Sequence, residues 1–337
     1  MLARILLCKI HGKMKISASP SLLCITPHSL CTRTTQKVQD PYPDQPNSAY
    51  YDDLIADAGR ARDFNKLQYL LNKRNKDGCF NTSSTFNFIT NYDNDLSILD
   101  TLTETISNLD KGFARKNAFD ALIARLCKLN QIQISLRVIK VMIHGNHGIN
   151  ACTFHPILSA LTRKKEMEEA LRVLALMREI RIPPDVSSYN YLLTAYCVKG
   201  DLSAAAGILT TIQEEKLEAD SRTYDAMVLG ACKAGRVEGG LALLRRMEEE
   251  GMPALYSTHA HVINGLVKLG YFAQAVKFVL SVAERDKALD AQNFGHLGRF
   301  LMKRRRFEEA KLVFGEMDKR GLVMGSKLRE DYLCLIQ

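Results

Sequence analysis

VSSYNYLLTAYCVKGD, residues 186–201, contains the two signals that decide the fold. Apolar residues recur in it at intervals of three and four, which places them along one face of an α-helix. They are Tyr189, Leu192, Leu193, Tyr196 and Cys197. Gly200 then supplies a residue that adopts a left-handed conformation easily, and Asp201 can accept from the free amide groups of a following helix. The stretch therefore predicts one helix, a tight turn and the start of a second helix.

The same pattern returns every 35 residues along the chain. One column of this repeat holds aromatic residues or histidine: Phe119, Phe154, Tyr189, Tyr224, His259 and Phe294. Another column holds small residues: Ala170, Ala205, Gly240, Ala275 and Ala310. A single helical hairpin cannot bury both of its apolar faces, so neighbouring hairpins must cover them. The sequence predicts an all-α solenoid whose core runs from repeat to repeat.

Extending the spacing from Val186 in both directions defines the expected repeats. Six keep the strict period, at residues 116–150, 151–185, 186–220, 221–255, 256–290 and 291–325. Two earlier repeats are less regular, at about 48–82 and 83–115, and bring the expected number to eight. Residues 326–337 are expected to be a C-terminal tail. Positions are counted from the first residue of each repeat, so that Val186 is position 1 and Tyr189 is position 4.

The stretch that starts at Val186 and its counterpart TYDAMVLGACKAGRVE, residues 223–238, resemble the opening helix and turn of the pentatricopeptide repeat family. The resemblance covers about residues 48–325. It implies a right-handed α-solenoid of about eight two-helix repeats that binds single-stranded RNA, with one base read per repeat. The main alternative is the tetratricopeptide repeat, which has a period of about 34 and a pattern beginning with tryptophan. This chain contains no tryptophan and keeps a period of 35.

In that family the residues that read a base are at position 5 and at the last position of a repeat. Carried over to this sequence, Asn190 with Asp220 matches a family pair for uridine. The other pairs do not match common ones: Asp120 with Asn150, His155 with Asp185, Asp225 with Leu255, Ala260 with Asp290, and Gly295 with Gly325. Position 2, usually an apolar residue that sandwiches the base, here is Asn117, Cys152, Ser187, Arg222, Ser257 and Gln292. Only one repeat carries a clear code.

Basic residues recur at position 13, where each first helix is expected to end. They are Arg60, Lys128, Arg163, Lys233, Lys268 and Lys303, with Asp95 and Val198 as the exceptions. A cation once per repeat forms a row that can follow a phosphate backbone. The alternative interpretation is that each cation complements the dipole of its own helix. We predict phosphate binding by Lys128, Arg163, Lys233, Lys268 and Lys303.

The amino-terminal segment has a different composition. Residues 1–39 contain no Asp or Glu, but they contain six Lys and Arg residues and many Ser and Thr residues. This is typical of an organellar transit peptide, and a basic amphipathic helix over residues 1–15 favours a mitochondrion over a chloroplast. Residues 40–47 are then a linker. Six of the nine net positive charges lie in this segment, which leaves +3 for the remaining chain, so nucleic-acid binding must depend on the arrangement of charges.

No arrangement of residues predicts catalysis, a cofactor or a metal site. The sequence lacks the His-x-Glu and Pro-Cys-x-x-Cys motifs of a zinc deaminase, and it lacks a glycine-rich phosphate loop. Cys127, Cys197 and Cys232 all occupy position 12, which is expected to pack in the core. His144, His147 and His155 have no neighbour in the sequence at the spacing of metal ligands. We therefore predict a binding protein without an intrinsic enzymatic activity.

Two functions fit this prediction. The first is a single-stranded RNA-binding protein of an organelle that acts in RNA processing, stabilisation or translation and covers about eight nucleotides. The second is a structural adaptor, or a subunit of an organellar ribonucleoprotein such as the mitochondrial ribosome, with ribosomal proteins as partners. In either case the sequence contains no segment for membrane insertion, and the free protein is expected to be a monomer.

Overall fold

The computed structural model describes residues 46–90, 96–283 and 286–336, which form α-helices joined by turns and contain no β-strand. The predicted transit peptide, most of the predicted linker and Asp95 lie outside these ranges. The helices among the described residues of 46–148 are α1 Ser48–Arg60, α2 Phe64–Lys76, α3 Leu96–Ser107, α4 Phe113–Lys128 and α5 Ile132–His144. Those that follow are α6 Ala151–Arg163, α7 Met167–Glu179, α8 Val186–Lys199, α9 Leu202–Glu214, α10 Ser221–Lys233, α11 Val237–Glu249, α12 Tyr256–Lys268, α13 Phe272–Val282, α14 Lys287–Lys303, α15 Phe307–Lys319 and α16 Ser326–Ile336.

The described residues divide into two compact parts, 46–148 and 149–336. In the second part, helices α6 to α15 form five consecutive hairpins, and each first helix packs against its own second helix and against the first helix of the next hairpin. Helices α6, α8, α10 and α12 begin at Ala151, Val186, Ser221 and Tyr256, which are the first residues of predicted repeats. Stacking of this kind buries the apolar face that a single hairpin leaves open.

Both turns of the repeat contain a residue with a left-handed backbone at a constant position. Position 15 has positive φ at Arg62, Asn130, Lys165, Gly200, Gly235, Gly270 and Arg305. Position 31 has positive φ at Gly78, Asn146, Arg181, Lys216, Gly251 and Gly321. The left-handed conformation predicted for Gly200 is confirmed, with φ of 84°. Non-glycine residues tolerate this conformation only at a steric cost of about 1–2 kcal/mol.

Replacing Arg181 with glycine should therefore stabilise the protein by about 0.5–1 kcal/mol. Glycine removes the backbone strain of the folded state, but part of this gain is offset because glycine has more conformational freedom in the unfolded chain. Arg181 is exposed and has φ of 62°. The matched control is Glu179→Gly, at the exposed last residue of α7, which should destabilise the protein. Chemical denaturation of both variants measures the effect. Equal destabilisation by both substitutions would contradict the explanation.

The aromatic column lies between the two helices of each repeat. Phe119, Phe154, Tyr189 and Phe294 are at most 1% exposed, and Tyr224 and His259 are about as well buried. The small column faces the first helix at other positions: a Cβ added at Gly240 would lie 2.8 Å from the Sγ of Cys232. The small residues are thus required because the first and second helices approach closely.

The first part, residues 46–148, is less regular than the second. The two-helix repeat expected at about 83–115 contains one α-helix among its described residues, α3, and residues 83–88 form turns. Phe86 and Ile89 are nevertheless buried, as their apolar character requires. Arg125 of the next repeat donates to the carbonyl of Ile89 at 2.6 and 3.1 Å, and Asn117 exchanges two hydrogen bonds with the backbone of Asn81. Side chains of α4 thus satisfy backbone groups that a helix would have paired internally.

The expectation that residues 326–337 form a tail is wrong for residues 326–336, which form helix α16. Leu328 of this helix is 7% exposed, and the ring of Tyr332 lies 5.9 Å from that of Phe314. Helix α16 packs against α14 and α15 and covers apolar surface of the last hairpin. Terminal elements that cap the stack are a general requirement of repeat proteins.

Candidate nucleic-acid interface

The first helices of the second part line a groove of about 790 Å³. Its walls are built from the same positions in successive repeats: Ser187, Arg222 and Ser257 at position 2, Asn190 and Asp225 at position 5, and Arg163 and Val198 at position 13. Four basic side chains, Arg163, Lys165, Lys199 and Arg222, line the groove together with one carboxylate, Asp225. The groove therefore presents a positive surface, although the chain outside residues 1–39 is only mildly basic.

Asn190 and Asp220, the pair with the clear code, are in direct contact. The Nδ2 of Asn190 donates to the Oδ1 of Asp220 at 2.9 Å, across 30 residues of sequence. Thr223 completes the network, because its hydroxyl donates to the Oδ1 of Asn190 at 2.8 Å and its backbone N–H donates to Asp220 at 2.8 Å. Asp220 is also the N-cap of α10. Helix capping thus holds the carboxylate, and the carboxylate orients the amide of Asn190.

His155 and Asp185 form the equivalent pair one repeat earlier. The Nε2 of His155 lies 2.9 Å from the Oδ1 of Asp185, which also accepts from the backbone N–H and the hydroxyl of Ser188 at 2.8 and 2.7 Å. Burial by itself would raise the pKa of the Asp185 carboxyl, but the hydrogen bonds from His155 and Ser188 lower it to about 2. The carboxyl group is therefore ionised at neutral pH. The pair fits no common code, yet it has the same geometry as Asn190 and Asp220.

Two predicted pairs of the second part, Asp225 with Leu255 and Ala260 with Asp290, lack this contact, for different reasons. Asp225 accepts from the hydroxyl of Thr258 at 2.7 Å and lies 3.6 Å from the Nε2 of His261, because position 35 of its repeat is the apolar Leu255. Burial tends to raise the pKa of Asp225, but the hydrogen bonds from His261 and Thr258 lower it. Ala260 has no polar side chain to offer its partner. Asp290 lies inside α14, which begins four residues before the predicted repeat, and it is 4% exposed.

Two further pairs complete the predicted set. Asp120 receives a hydrogen bond from the Nζ of Lys116 at 2.5 Å within the first part of the chain. Asn150 precedes α6 as its N-cap in the second part. Gly295 and Gly325 have no side chain, and a Cβ added at Gly295 would lie 3.3 Å from Leu328 of α16. Helix α16 thus occupies the space beside Gly295.

The predicted phosphate-binding residues are all exposed, each as the last residue of its helix: Lys128, Arg163, Lys233, Lys268 and Lys303. Arg163 lines the groove. The Nζ of Lys128 donates to the hydroxyl of Ser83 at 2.5 Å, and the Nζ of Lys233 donates to the carbonyl of Val198 at 2.5 Å. Arg60, the first cation of the row, is paired with Asp57. Helix α8 is one residue longer than its neighbours and ends in Lys199, which supplies the cation that Val198 lacks.

Several residues of the groove were not predicted from the sequence, and two of them can contact a base. Tyr191 and Thr194 line the groove at positions 6 and 9, which are not among the family's reading positions. The ring of Tyr191 lies 5.7 Å from that of His155, and burial raises the pKa of its hydroxyl group, so the tyrosine is neutral. An aromatic face at this place can stack on a nucleobase. The signal in the sequence was its position directly after Asn190.

The histidines considered as metal ligands lie in different environments. His144 contacts the carbonyl of Lys140 through its Nδ1 at 2.6 Å, and the ring of His147 stacks on Phe119 at 5.2 Å. His155 instead lies near Cys152 and Asp185, and ligand atoms of the three side chains are all within 4.8 Å of one another. The expectation that His155 has no neighbour at ligand spacing overlooked Cys152, three residues before it, and Asp185, which comes 30 residues after it, could be placed only by the fold.

Among the described residues, no helix is long and apolar enough to cross a membrane.

Comparison with known proteins places the sequence among helical repeat proteins. A model of the PPR repeat family matches residues 149–198 and 184–233, and a model of the PPR repeat matches residues 222–252 and 297–322. One relative, a mitochondrial pentatricopeptide repeat-containing protein of Arabidopsis thaliana, is 50% identical over 83% of this chain and 81% of its own length. A second protein of the same description and organism is 56% identical over 93% of this chain and 89% of its own length.

A likeness to solved structures is also found. The pentatricopeptide repeat protein PPR10, solved in complex with an 18-nt psaJ RNA element, is 16% identical, with a TM-score of 0.46. The comparison covers 86% of this chain and 46% of that chain, so this chain spans about half of that protein's length. PPR10 from maize solved by itself is also 16% identical and gives a TM-score of 0.36, covering 86% of this chain and 51% of that chain.

Proposed function

This chain belongs to the pentatricopeptide repeat family, and we propose from that membership and from the chemistry of its groove that it is a mitochondrial protein that binds single-stranded RNA. The observation that carries the proposal is the groove itself, in which three residues at the family's reading positions, Asn190, Asp225 and Leu255, lie beside four cations. Single-stranded nucleic acids bind to grooves that combine positive charge with stacking surfaces and hydrogen-bonding groups. The mitochondrial assignment is supported by the names of both relatives and by the acid-free, basic composition of residues 1–39.

The pair of Asn190 and Asp220 has the hydrogen-bonding capacity to recognise uridine. An amide NH₂ group has two N–H donors, and Asn190 uses one of them for Asp220. Asp220 accepts its hydrogen bonds on Oδ1, so its Oδ2 keeps its lone pairs. A donor and an acceptor are thus held side by side. The edge of uracil offers the complement, an acceptor carbonyl next to the N3–H donor, whereas cytosine presents a donor and an acceptor in the reverse order.

The other positions of the groove supply contacts that do not depend on sequence. Arg163, Lys199 and Arg222 can neutralise phosphates, and Tyr191 can stack on a base. Position 2 of these repeats lacks the apolar side chains that are usual in the family. A base would therefore stack less strongly here than a base held between two apolar side chains. We therefore propose a binder with one specific nucleotide contact and several contacts to the backbone, which acts on a transcript in processing, stabilisation or translation and not as a catalyst.

Substitution of Asn190 tests the proposal. Asn190→Ala should reduce the preference for uridine over cytidine at one position of an oligoribonucleotide about 2- to 12-fold, which corresponds to the loss of one hydrogen bond of about 0.5–1.5 kcal/mol. Selection from a random RNA pool identifies that position in the unmodified protein, and fluorescence anisotropy measures the two affinities. Affinity for an all-cytidine oligonucleotide serves as the internal control and should stay unchanged.

Two outcomes would count against the proposal. An unchanged preference for uridine in the Asn190→Ala variant would remove Asn190 from base recognition. Absence of binding to any single-stranded RNA would contradict the function itself and would favour the adaptor, whose ribonucleoprotein partners remain a prediction. Purification of the tagged protein from mitochondria then identifies such partners.

A further inference from the structure

Three side chains of different chemistry meet at the amino-terminal end of α6, beside the groove. Cys152, His155 and Asp185 each offer a ligand atom, and these atoms all lie within 4.8 Å of one another. All three residues are partly buried, so the cluster is sheltered but reachable from solvent. We propose that Cys152, His155 and Asp185 form a binding site for one divalent transition-metal ion of the Zn²⁺ class.

The donor set selects this class of ion. A thiolate, an imidazole and a carboxylate are the three ligand types that Zn²⁺ accepts, and soft thiolate disfavours Mg²⁺ and Ca²⁺. Three protein ligands leave the fourth tetrahedral position open to water or to another small ligand. This composition differs from the surface clusters of carboxylates that occur commonly without an ion.

The fold brings the ligands together by two independent constraints. Cys152 and His155 are three residues apart on α6, a spacing that places them on one face of the helix. Asp185 arrives from the next repeat, where its carboxylate is held as the N-cap of α8 by accepting from the backbone of Ser188. Stacking of α6 against α8 then sets the distance between the two contributions.

Metal binding displaces protons from the thiol and from the imidazole. The hydrogen bonds that Asp185 accepts from His155 and Ser188 all end on Oδ1. On metal binding the thiol releases its proton to solvent. The proton on the Nε2 of His155 moves to solvent, solvent supplies a proton to Nδ1 where that atom has none, and the neutral imidazole binds the ion through Nε2.

The required rearrangement is small. Tetrahedral zinc with bonds of about 2.0–2.3 Å holds its ligand atoms about 3.3–3.8 Å apart. The Nε2 of His155 and the Oδ1 of Asp185, now 2.9 Å apart, would open slightly as the ion replaces the hydrogen-bonded proton. The ligand atoms are at most 4.8 Å apart, so no pair would need to close by more than about 1 Å.

An ion at this site would withdraw His155 and Asp185 from reading a base, since they are position 5 and the last position of their repeat. This consequence rests on the proposed function. The site itself does not, because its ligands and its test involve no RNA.

Titration of the purified full-length protein with Co²⁺, without RNA, tests the site. We expect one equivalent of Co²⁺ to produce a thiolate-to-cobalt charge-transfer band together with the visible bands of tetrahedral cobalt, and Zn²⁺ to displace them. Cys152→Ser should abolish the charge-transfer band, and Asp185→Asn, which keeps an N-capping side chain, should weaken Co²⁺ binding at least 10-fold. Cys334→Ser is the matched control, because Cys334 is an exposed thiol outside the cluster, and it should leave the titration unchanged.

The proposal is overturned if the unmodified protein gives no charge-transfer band at one equivalent. It is equally overturned if Cys152→Ser retains the band with the same stoichiometry, since the ion would then be bound by another cysteine. Circular dichroism of each variant shows that its helices are intact. Loss of the band in Cys152→Ser, but not in Cys334→Ser, supports the assignment whether or not the protein binds RNA.

Discussion

Simultaneous neutralisation of Arg163, Lys233, Lys268 and Lys303 with glutamine should weaken the binding of single-stranded RNA by about 10- to 200-fold at 0.15 M salt. These residues are exposed and end four first helices of the second part of the chain. Each phosphate contact on a single strand contributes about 0.7 to the slope of log affinity against log salt concentration, so four lost contacts should flatten the slope by about 3. Fluorescence anisotropy with an oligoribonucleotide at several salt concentrations measures both quantities.

A matched variant separates a local effect from a change in net charge. Arg172, Arg245, Lys277 and Lys311 are also exposed, but they lie on second helices, away from the groove. Neutralising these four residues removes the same charge and should change RNA affinity and salt slope much less. Equal losses in the two variants would mean that the row at the helix ends binds no phosphate, and the cations would then only complement their helix dipoles.

Phe154→Ala should lower the free energy of unfolding by about 3–5 kcal/mol. Phe154 is 0% exposed and belongs to the aromatic column between the two helices of its repeat. Truncation removes most of a large apolar side chain and leaves a cavity that the flanking helices cannot close without losing contacts with the next repeat. Because each repeat is stabilised by its neighbours, the loss should spread beyond residues 151–185. Urea denaturation followed by circular dichroism measures the change.

Phe307→Ala is the control for that prediction, because Phe307 is 46% exposed at the start of α15. The same chemical truncation should there cost much less, within about 1 kcal/mol. A loss in Phe307→Ala as large as in Phe154→Ala would show that burial in the aromatic column is not the source of stability. An unchanged stability of Phe154→Ala would lead to the same conclusion.

The hairpins and the buried columns of this protein were predictable from its sequence. The period of 35 residues repeats the same local signals, namely an amphipathic helix, a left-handed turn residue and a second helix with a small residue facing the first. These signals act within one repeat or between adjacent repeats. Predicting the fold of this chain of 337 residues therefore requires only the structure of one repeat and its contact with the next. The burial of Phe154 and Tyr189 and the left-handed Gly200 follow from them.

The irregular ends of the repeat array were not predictable in the same way. Arg125 donates to the backbone carbonyl of Asn87, within the turns at residues 83–88, and to that of Ile89 just after them. Helix α16 forms over apolar surface of the last hairpin. In both places the local sequence pattern is too weak to decide the conformation, and contacts with side chains of a neighbouring repeat decide it. Such groups can be identified only when the packing is known.

Some residues of the candidate sites could likewise be identified from the sequence, and the others only from the tertiary structure. The sequence by itself determined the helical repeat and the first residues of α6, α8, α10 and α12, since these depend on a constant spacing, and the family resemblance predicted the pair of Asn190 and Asp220. Only the tertiary structure brought Thr223 to Asn190, placed Tyr191 in the groove and joined Cys152 and His155 to Asp185. Those contacts depend on how one first helix is positioned against the next, and this offset is set by side-chain packing between repeats, which no spacing along the chain specifies.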